Sequence, residues 1–141
     1  MKNDDVVITS AFRTAIGSFN GSLSSKTAPE LGSTVIKKCV ENSELKKEEI
    51  DMVYMGQVLT TGTGQNPARQ ASILAGLANE TTNTTVNQVC GSGLVSVALA
   101  YNSIKSGDGD KMIAGGQESM SNSPHYMNIR DRKSTRLNSS H

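Results

Sequence analysis

The chain has 141 residues, 35% hydrophobic, 19% charged and 4% aromatic, with 14 basic and 13 acidic side chains. That length suits one ordinary domain, and a charge near neutrality argues against a nucleic-acid or membrane-surface partner. The longest apolar run, Val97 to Tyr101, is far short of the ~18 residues of a membrane span. The charged start Met1–Asp5, followed by only three apolar residues, is not expected to act as a signal peptide. The two cysteines, Cys39 and Cys90, have neither metal-ligand spacing nor the look of a disulfide framework, so a reducing, cytoplasmic setting is expected.

In chain order, Val6-Val7-Ile8-Thr9 is β-branched and predicts a first strand. Residues 10 to 26 are rich in Ser and Gly and predict a loop. Thr27-Ala-Pro-Glu30 has the form of a capping box, opening a helix whose Leu31, Val35, Ile36, Cys39 and Val40 recur at helical spacing. Residues 46 to 51 predict a charged surface turn. Met52–Met55 together with Val58-Leu59 predict a second, largely buried strand interrupted by Gly56. After a loop containing Gly62 and Gly64, Asn66-Pro67 predicts an N-cap and first helical residue, with the helix running through Ile73, Leu74 and Leu77. Asn83 to Val89 predict a third strand. From Leu94 to Ile104 the chain is apolar nearly all round, which predicts a buried helix. Gly107 and Gly109 end it. Lys111 to Ala114 predict a fourth strand, followed by Gly115-Gly116 and a polar loop. Alternating strands and helices imply an α/β fold, with a mixed, mainly parallel sheet and helices on its faces. Such sheets place their sites at the carboxyl ends of the strands.

The last eleven residues, Asp131 to His141, contain one apolar residue, Leu137, and no periodicity. They resemble the in-frame translation of a sequencing-library adapter. They are therefore expected to be a non-native, disordered tail on a truncated product, with 1–130 as the domain. Without the tail's three cations and one anion the balance becomes 11 basic to 12 acidic residues.

Cys90 is the candidate for chemistry. It sits where the third strand gives way to the apolar helix. The unpaired N–H groups of a helix's first turn favour an anion there by roughly 0.3–2 kcal/mol, which favours the reactive thiolate. The same kind of N–H group, including that of Cys90 itself, could hold the oxyanion that forms when sulfur attacks a carbonyl. Gly91 and Gly93 leave room beside the sulfur, and the arrangement is analogous to the serine elbow of hydrolases. The plain alternative is a small buried hydrophobe, but two glycines in the first turn of a helix add nothing to its stability. Cys39, in an amphipathic stripe, reads as core. Gly91-Ser-Gly93-Leu-Val-Ser96 lacks the third glycine and the acidic partner of a dinucleotide fingerprint. His125, the only histidine before the tail, reads as a solvated loop residue. Glu118 either orders a loop or is exposed, and no metal motif is present.

Asn87-Gln-Val-Cys90-Gly-Ser-Gly-Leu94 resembles the acylated-cysteine motif of the thiolase family. Gly115-Gly-Gln-Glu-Ser-Met-Ser-Asn122 is similar to its second motif, where methionine is commoner at the place of Gln117. Ala11–Gly17 and Gly64–Gln70 are similar to two further family segments, in the same order. Val95 departs from the pattern, since many members carry a basic residue there. The likeness is strongest to the biosynthetic branch. The resemblance implies a thiolase-like half-fold: one of two similar halves, each a mixed five-stranded sheet, with a shared buried helix layer that includes the helix after Cys90.

The resemblance also implies a ping-pong reaction. Cys90 would take an acetyl group from acetyl-CoA and pass it to a second acetyl-CoA, giving acetoacetyl-CoA and CoA, reversibly. Coenzyme A thioesters are then substrates, with no separate cofactor or metal, and the full-length protein is a homodimer or homotetramer. The family's basic histidine, second cysteine and oxyanion-binding asparagine belong to the other half, so a chain of this extent is expected to be inactive alone. A degradative 3-ketoacyl-CoA thiolase or another condensing enzyme of the superfamily is an alternative. Non-catalytic alternatives are a structural half with a packing cysteine and a redox-sensing thiol.

Overall fold

A computed structural model describes residues 5–127 of the chain. Three strands, β1 (Met52–Gly56), β2 (Thr82–Val86) and β3 (Met112–Gly116), form one parallel sheet in the order β2-β1-β3. Met52 pairs with Thr82 on one side and Met112 on the other, and Gly56 lies beside Val86 and Gly116. Three α-helices surround the sheet: α1 (Ala28–Asn42), α2 (Pro67–Leu74) and α3 (Ser92–Ser106). The expected α/β architecture with parallel strands is therefore present.

Strand alternation divides the work of the two faces. Val53 and Met55 point to one side and join Ile36 and Val40 of α1, Ala68 and Ala71 of α2, and Ile50, Ala75 and Leu77 in the core. Tyr54 and Gly56 point to the other side, where α3 lies; the Tyr54 hydroxyl is 2.9 Å from Ser103 Oγ. The capping box of α1 is formed as its sequence suggests. The Thr27 N–H donates to Glu30 Oε2 at 2.7 Å and the Glu30 N–H to Thr27 Oγ1 at 3.3 Å. The Thr27 N–H bond holds the Glu30 carboxyl below the usual glutamate range. Asn66 caps α2 through the Arg69 N–H and also accepts a bond from Thr85 Oγ1, which ties the helix start to β2.

Several boundaries differ from expectation. Residues 6–9 form no strand: they engage neither free edge of the sheet, and Val7 and Ile8 are exposed. A β-branched run becomes a strand only where an edge accepts it. β1 stops at Gly56 because the N–H groups of Val58 and Leu59 turn to the Glu118 carboxylate instead of a neighbouring strand. β2 stops at Val86, short of Val89, and is a half-exposed edge strand. α2 ends at Leu74; Leu77 lies beyond Gly76, whose φ is +82°, yet remains buried. Residues 46–51 include a short 3-10 turn at Lys47–Glu49. The segment 131–141 lies outside the described residues.

The helix after Cys90, α3, divides its faces unevenly. Its sheet-facing positions are small and mostly polar: Ser92, Ser96 and Ala100 are buried. Its outer stripe is apolar: Leu94 is 77% exposed and Tyr101 50%, with Val97 between them also exposed. Within this half the helix is thus buried only on its sheet side, with Leu94, Val97 and Tyr101 turned away from its own sheet. Small residues let it lie close to the strands, while the apolar stripe is left without a cover. The chain is therefore expected to self-associate in solution. Leu94→Lys combined with Tyr101→Lys should shift sedimentation toward the monomer; an unchanged distribution would show that the stripe does not drive association.

Asp51 ties the start of β1 to the turn before β3. Its Oδ2 accepts the N–H groups of Asp110 at 2.8 Å and Lys111 at 3.0 Å. The Lys111 N–H bond, followed by that of Asp110, holds the carboxyl below the usual aspartate range. A depressed folded-state value means that the charged form stabilises the fold. That contribution is complete at neutral pH and vanishes as pH falls through the folded-state value. Asp51→Ala should therefore lower the urea midpoint at pH 7 and narrow its gap to the parent in acid. An equal gap at both pH values would contradict this.

Candidate active site

The carboxyl end of the sheet is built from glycine contacts. A Cβ on Gly56 would lie 2.6 Å from the Ser92 carbonyl carbon and 2.8 Å from Gly93 N, so the first turn of α3 rests directly on the end of β1. Gly116 of β3 meets Gly93 from the other side, with its own Cβ position 3.5 Å from Gly93 Cα. Neither Gly91 nor Gly93 has a positive φ. A Cβ on Gly93 would find its nearest atoms at 3.8 Å, an ordinary contact. Gly93 is therefore not demanded by backbone conformation, and the close approach is demanded of Gly56.

Cys90 stands just before this helix, two residues ahead of the first residue of α3, and is exposed. Its side chain lies at the surface of the described residues and not in the apolar core. The turn that presents it is closed by hydrogen bonds. Ser92 Oγ accepts the Gln88 N–H at 2.8 Å and donates to the Val89 carbonyl at 2.6 Å. The Val89 N–H donates to Asn87 Oδ1 at 3.0 Å. The Gly91 N–H bonds Gln88 O, the Ser92 N–H bonds Val89 O, and the Val95 N–H bonds Gly91 O. Among the described residues the Cys90 N–H has no such partner. Val89 has a φ of 50°, in the left-handed region that a β-branched residue rarely enters.

An open cleft beside Cys90 is walled by Val58 and Leu59 after β1, by Val89, and by Gln117, Glu118 and Met120 after β3. Glu118 joins two of these walls: its carboxylate accepts the Val58 N–H at 2.8 Å and the Leu59 N–H at 3.2 Å. Glu118 therefore orders the loop, one of the two roles open to it from sequence. Beneath it, the Gln117 amide donates to Gln57 Oε1 at 2.9 Å and to Pro67 O at 3.2 Å. Gln117 Oε1 has no partner and faces Gly32 of α1. Farther along the same segment, Ser119 Oγ and Asn122 Nδ2 bond Lys26 O, fastening the segment to the start of α1. The Asn87–Leu94 and Gly115–Asn122 motifs, separate in sequence, thus frame one cleft.

The Gly64–Gln70 segment caps α2, and Gln70 Nε2 bonds Thr63 O and Gln65 O. The Ala11–Gly17 segment forms an exposed loop, with Phe12 against Lys38 Nζ. Cys39 is half-buried on α1, and His125 is exposed and not part of the cleft.

The family described as thiolase, N-terminal domain, matches residues 6–141. The chain belongs to the thiolase family. It is 56% identical over 123 residues to a protein of Cupriavidus necator, a match covering 87% of this chain and 31% of that protein. It is 58% identical over 123 residues to one of Chromobacterium violaceum, again 87% and 31% of the two chains. With one of Escherichia coli K12 it shares 52% over 137 residues, 97% of this chain and 34% of the other. All three relatives bear the name acetyl-CoA acetyltransferase. The chain spans about a third of the length of these curated relatives.

Residues around Cys90 that sequence reasoning passed over now have defined places. Ser92 stands between two glycines in the sequence, and a serine in a helix's first turn is a source of side-chain-to-backbone bonds. Gly56 looked like an interruption of a strand and is where α3 docks. The role of Asn87 depends on the sharp turn after it, which no periodicity announces.

Proposed function

We propose that this thiolase chain carries the acyl-accepting half of an acetyl-CoA C-acetyltransferase, with Cys90 as nucleophile. The observation that carries the reading is an exposed Cys90 thiol ahead of α3, beside a backbone N–H of the same residue that its neighbours leave unbonded. In the first half-reaction the Cys90 thiolate attacks the thioester carbonyl of acetyl-CoA. Negative charge moves to the carbonyl oxygen, where the Cys90 N–H and the start of α3 stabilise it. The carbon–sulfur bond to CoA then breaks, leaving acetyl-Cys90 and a CoA thiolate that takes up a proton. In the second half-reaction a second acetyl-CoA, deprotonated at its methyl carbon, attacks the acetyl carbonyl, and Cys90 leaves as thiolate with acetoacetyl-CoA as product.

The residues lining the cleft supply no group for that deprotonation. Glu118 is their only other ionisable side chain, and its oxygens are held by backbone N–H groups. The base, proton donor and second oxyanion site are assigned to the family's other half, and the uncovered stripe of α3 fits a chain that packs against one. The complete protein is read as a cytoplasmic homodimer or homotetramer using CoA thioesters, without a metal or separate cofactor. Among the described residues, no helix is long and apolar enough to cross a membrane. Mass spectrometry of the chain after incubation with acetyl-CoA tests the reading. An acetyl group on Cys90 supports it, and an unmodified Cys90 overturns it.

A further inference from the structure

We infer that Ser92 is a positioning residue for acyl transfer, acting through the backbone of Val89 rather than by touching the substrate. The inference rests on the reading of Cys90 as an acyl acceptor. Ser92 is 4% exposed, and its Oγ makes two bonds to the turn, from Gln88 N–H at 2.8 Å and to Val89 O at 2.6 Å. The second of these grips the peptide unit that joins Val89 to Cys90, whose carbonyl also accepts the Ser92 N–H at 3.1 Å, while the unit before Val89 is held by Asn87 Oδ1 on the Val89 N–H at 3.0 Å. A valine with φ of 50° is held against its own conformational preference, and such a state persists only where the surroundings over-determine it.

The surroundings here are specific. Ser92 cannot drift, because its backbone lies against Gly56. From that fixed point its hydroxyl holds the Val89 carbonyl, and with Asn87 Oδ1 on the Val89 N–H it keeps Val89 left-handed, so that the next residue, Cys90, is turned out with its thiol and unbonded N–H on the same residue. Were Val89 to relax to an ordinary φ, the direction of the following peptide unit, which contains the Cys90 N–H, would change. The thiol would remain exposed, but the N–H that meets the oxyanion would be misplaced. Ser92 thus separates two properties of Cys90: its nucleophilicity, which needs exposure, and its acyl transfer, which also needs the N–H.

Two probes read these properties apart. Iodoacetamide alkylates the thiolate by displacing iodide, and no oxyanion forms. With p-nitrophenyl acetate, the thiolate attacks the ester carbonyl. A carbon–sulfur bond forms, the carbon–oxygen bond breaks, p-nitrophenolate departs and the thiol proton goes to solvent. The full chain, with Cys39→Ser to leave one thiol, is used at concentrations below self-association. Ser92→Ala should lower acyl transfer from p-nitrophenyl acetate roughly tenfold, the order of the cost of a left-handed non-glycine residue. Alkylation should stay near the parent rate. Adding Val89→Gly to Ser92→Ala should recover most of the lost acyl transfer, because glycine enters the left-handed region freely.

Parent-like acyl transfer in Ser92→Ala would overturn the inference. So would an equal fall in both reactions, or a loss that Val89→Gly leaves unrepaired, since a packing defect would not be cured by glycine on the exposed side of the turn. Because p-nitrophenyl acetate needs no CoA recognition, these outcomes stand apart from those with acetyl-CoA. A parent chain acylated by the ester but never by acetyl-CoA would count against the proposed substrate and leave the role of Ser92 to be judged on the ester alone.

Discussion

One acetyl group per chain, on Cys90, and no further turnover is the result expected when the chain meets acetyl-CoA. The reason for the single event is chemical. An exposed thiolate at a helix start can attack a thioester, and the Cys90 N–H can meet the resulting oxyanion. Condensation needs more: a carbon acid must lose a proton, and an effective base must be within hydrogen-bond reach of it. Glu118, engaged by the Val58 and Leu59 N–H groups, is not free for that task, and His125 lies outside the cleft. Cys90→Ala should abolish the acetylation completely, whereas Cys39→Ala should leave it intact, since Cys39 sits half-buried on the far layer of helices. The label should be released by hydroxylamine, as a thioester is and an acetyl-lysine is not. Release of acetoacetyl-CoA by the chain alone, dependent on Cys90, would show that it holds its own base and would refute the division of labour between halves. Labelling that survives Cys90→Ala would remove the nucleophile from the proposal.

Gly56→Ala should destabilise the chain strongly. The added carbon would stand 2.6 Å from Ser92 C, 2.7 Å from Ser92 Cβ and 2.8 Å from Gly93 N. Two of these are backbone atoms of a helix, so no rotamer change relieves the clash, and either α3 or the end of β1 must move. Overpacking of this kind costs about 1–3 kcal/mol, occasionally more. The loss should appear as a lower urea midpoint with an unchanged slope. Because the displaced turn carries Cys90, acetylation should fall as well. Gly93→Ala is the matching control. It adds the same carbon on the facing residue of α3, where the nearest atoms are at 3.8 Å, and replacing a helical glycine by alanine gains up to ~1 kcal/mol. Gly93→Ala should therefore be neutral or stabilising. If Gly56→Ala melted with the parent, the docking of α3 on β1 would be wrong; if the two variants lost stability equally, glycine content rather than contact would be responsible.

The bare stripe of α3 and the orphaned Gln117 amide are two forms of the same local inconsistency. Leu94, Val97 and Tyr101 face outward without partners, which is unfavourable for a domain that ends at its own surface. Gln117 Oε1 is buried against Gly32 with no donor. The amide orientation is set by its neighbours, because Gln117 Nε2 serves Gln57 Oε1 while Gln57 Nε2 serves Leu59 O. Flipping Gln117 would place two carbonyl oxygens together. A methionine, which the family pattern favours at this place, would remove the orphan but strip Gln57 of its donor. Gln117 and Gln57 therefore act as a pair, and neither is explained alone.

Local chemistry alone determined much of this protein. The capping box at Thr27 and Glu30, the Asn66-Pro67 helix start and the short apolar or β-branched runs of β1, β2 and β3 depend on neighbours a few residues away, so they are legible in the sequence. The motif around Cys90 placed that residue between a strand and a helix for the same reason. Tertiary structure decided what depends on distant partners. Residues 6–9 have strand composition and no edge to join. β1 ends where Glu118, sixty positions from Val58, claims the N–H groups of Val58 and Leu59. The apolar pattern of α3 announced burial but not which side would be buried, because periodicity records only that a face wants cover. Only the contact of Gly56 with Ser92 shows that the small polar side meets the sheet and the large apolar side awaits another surface.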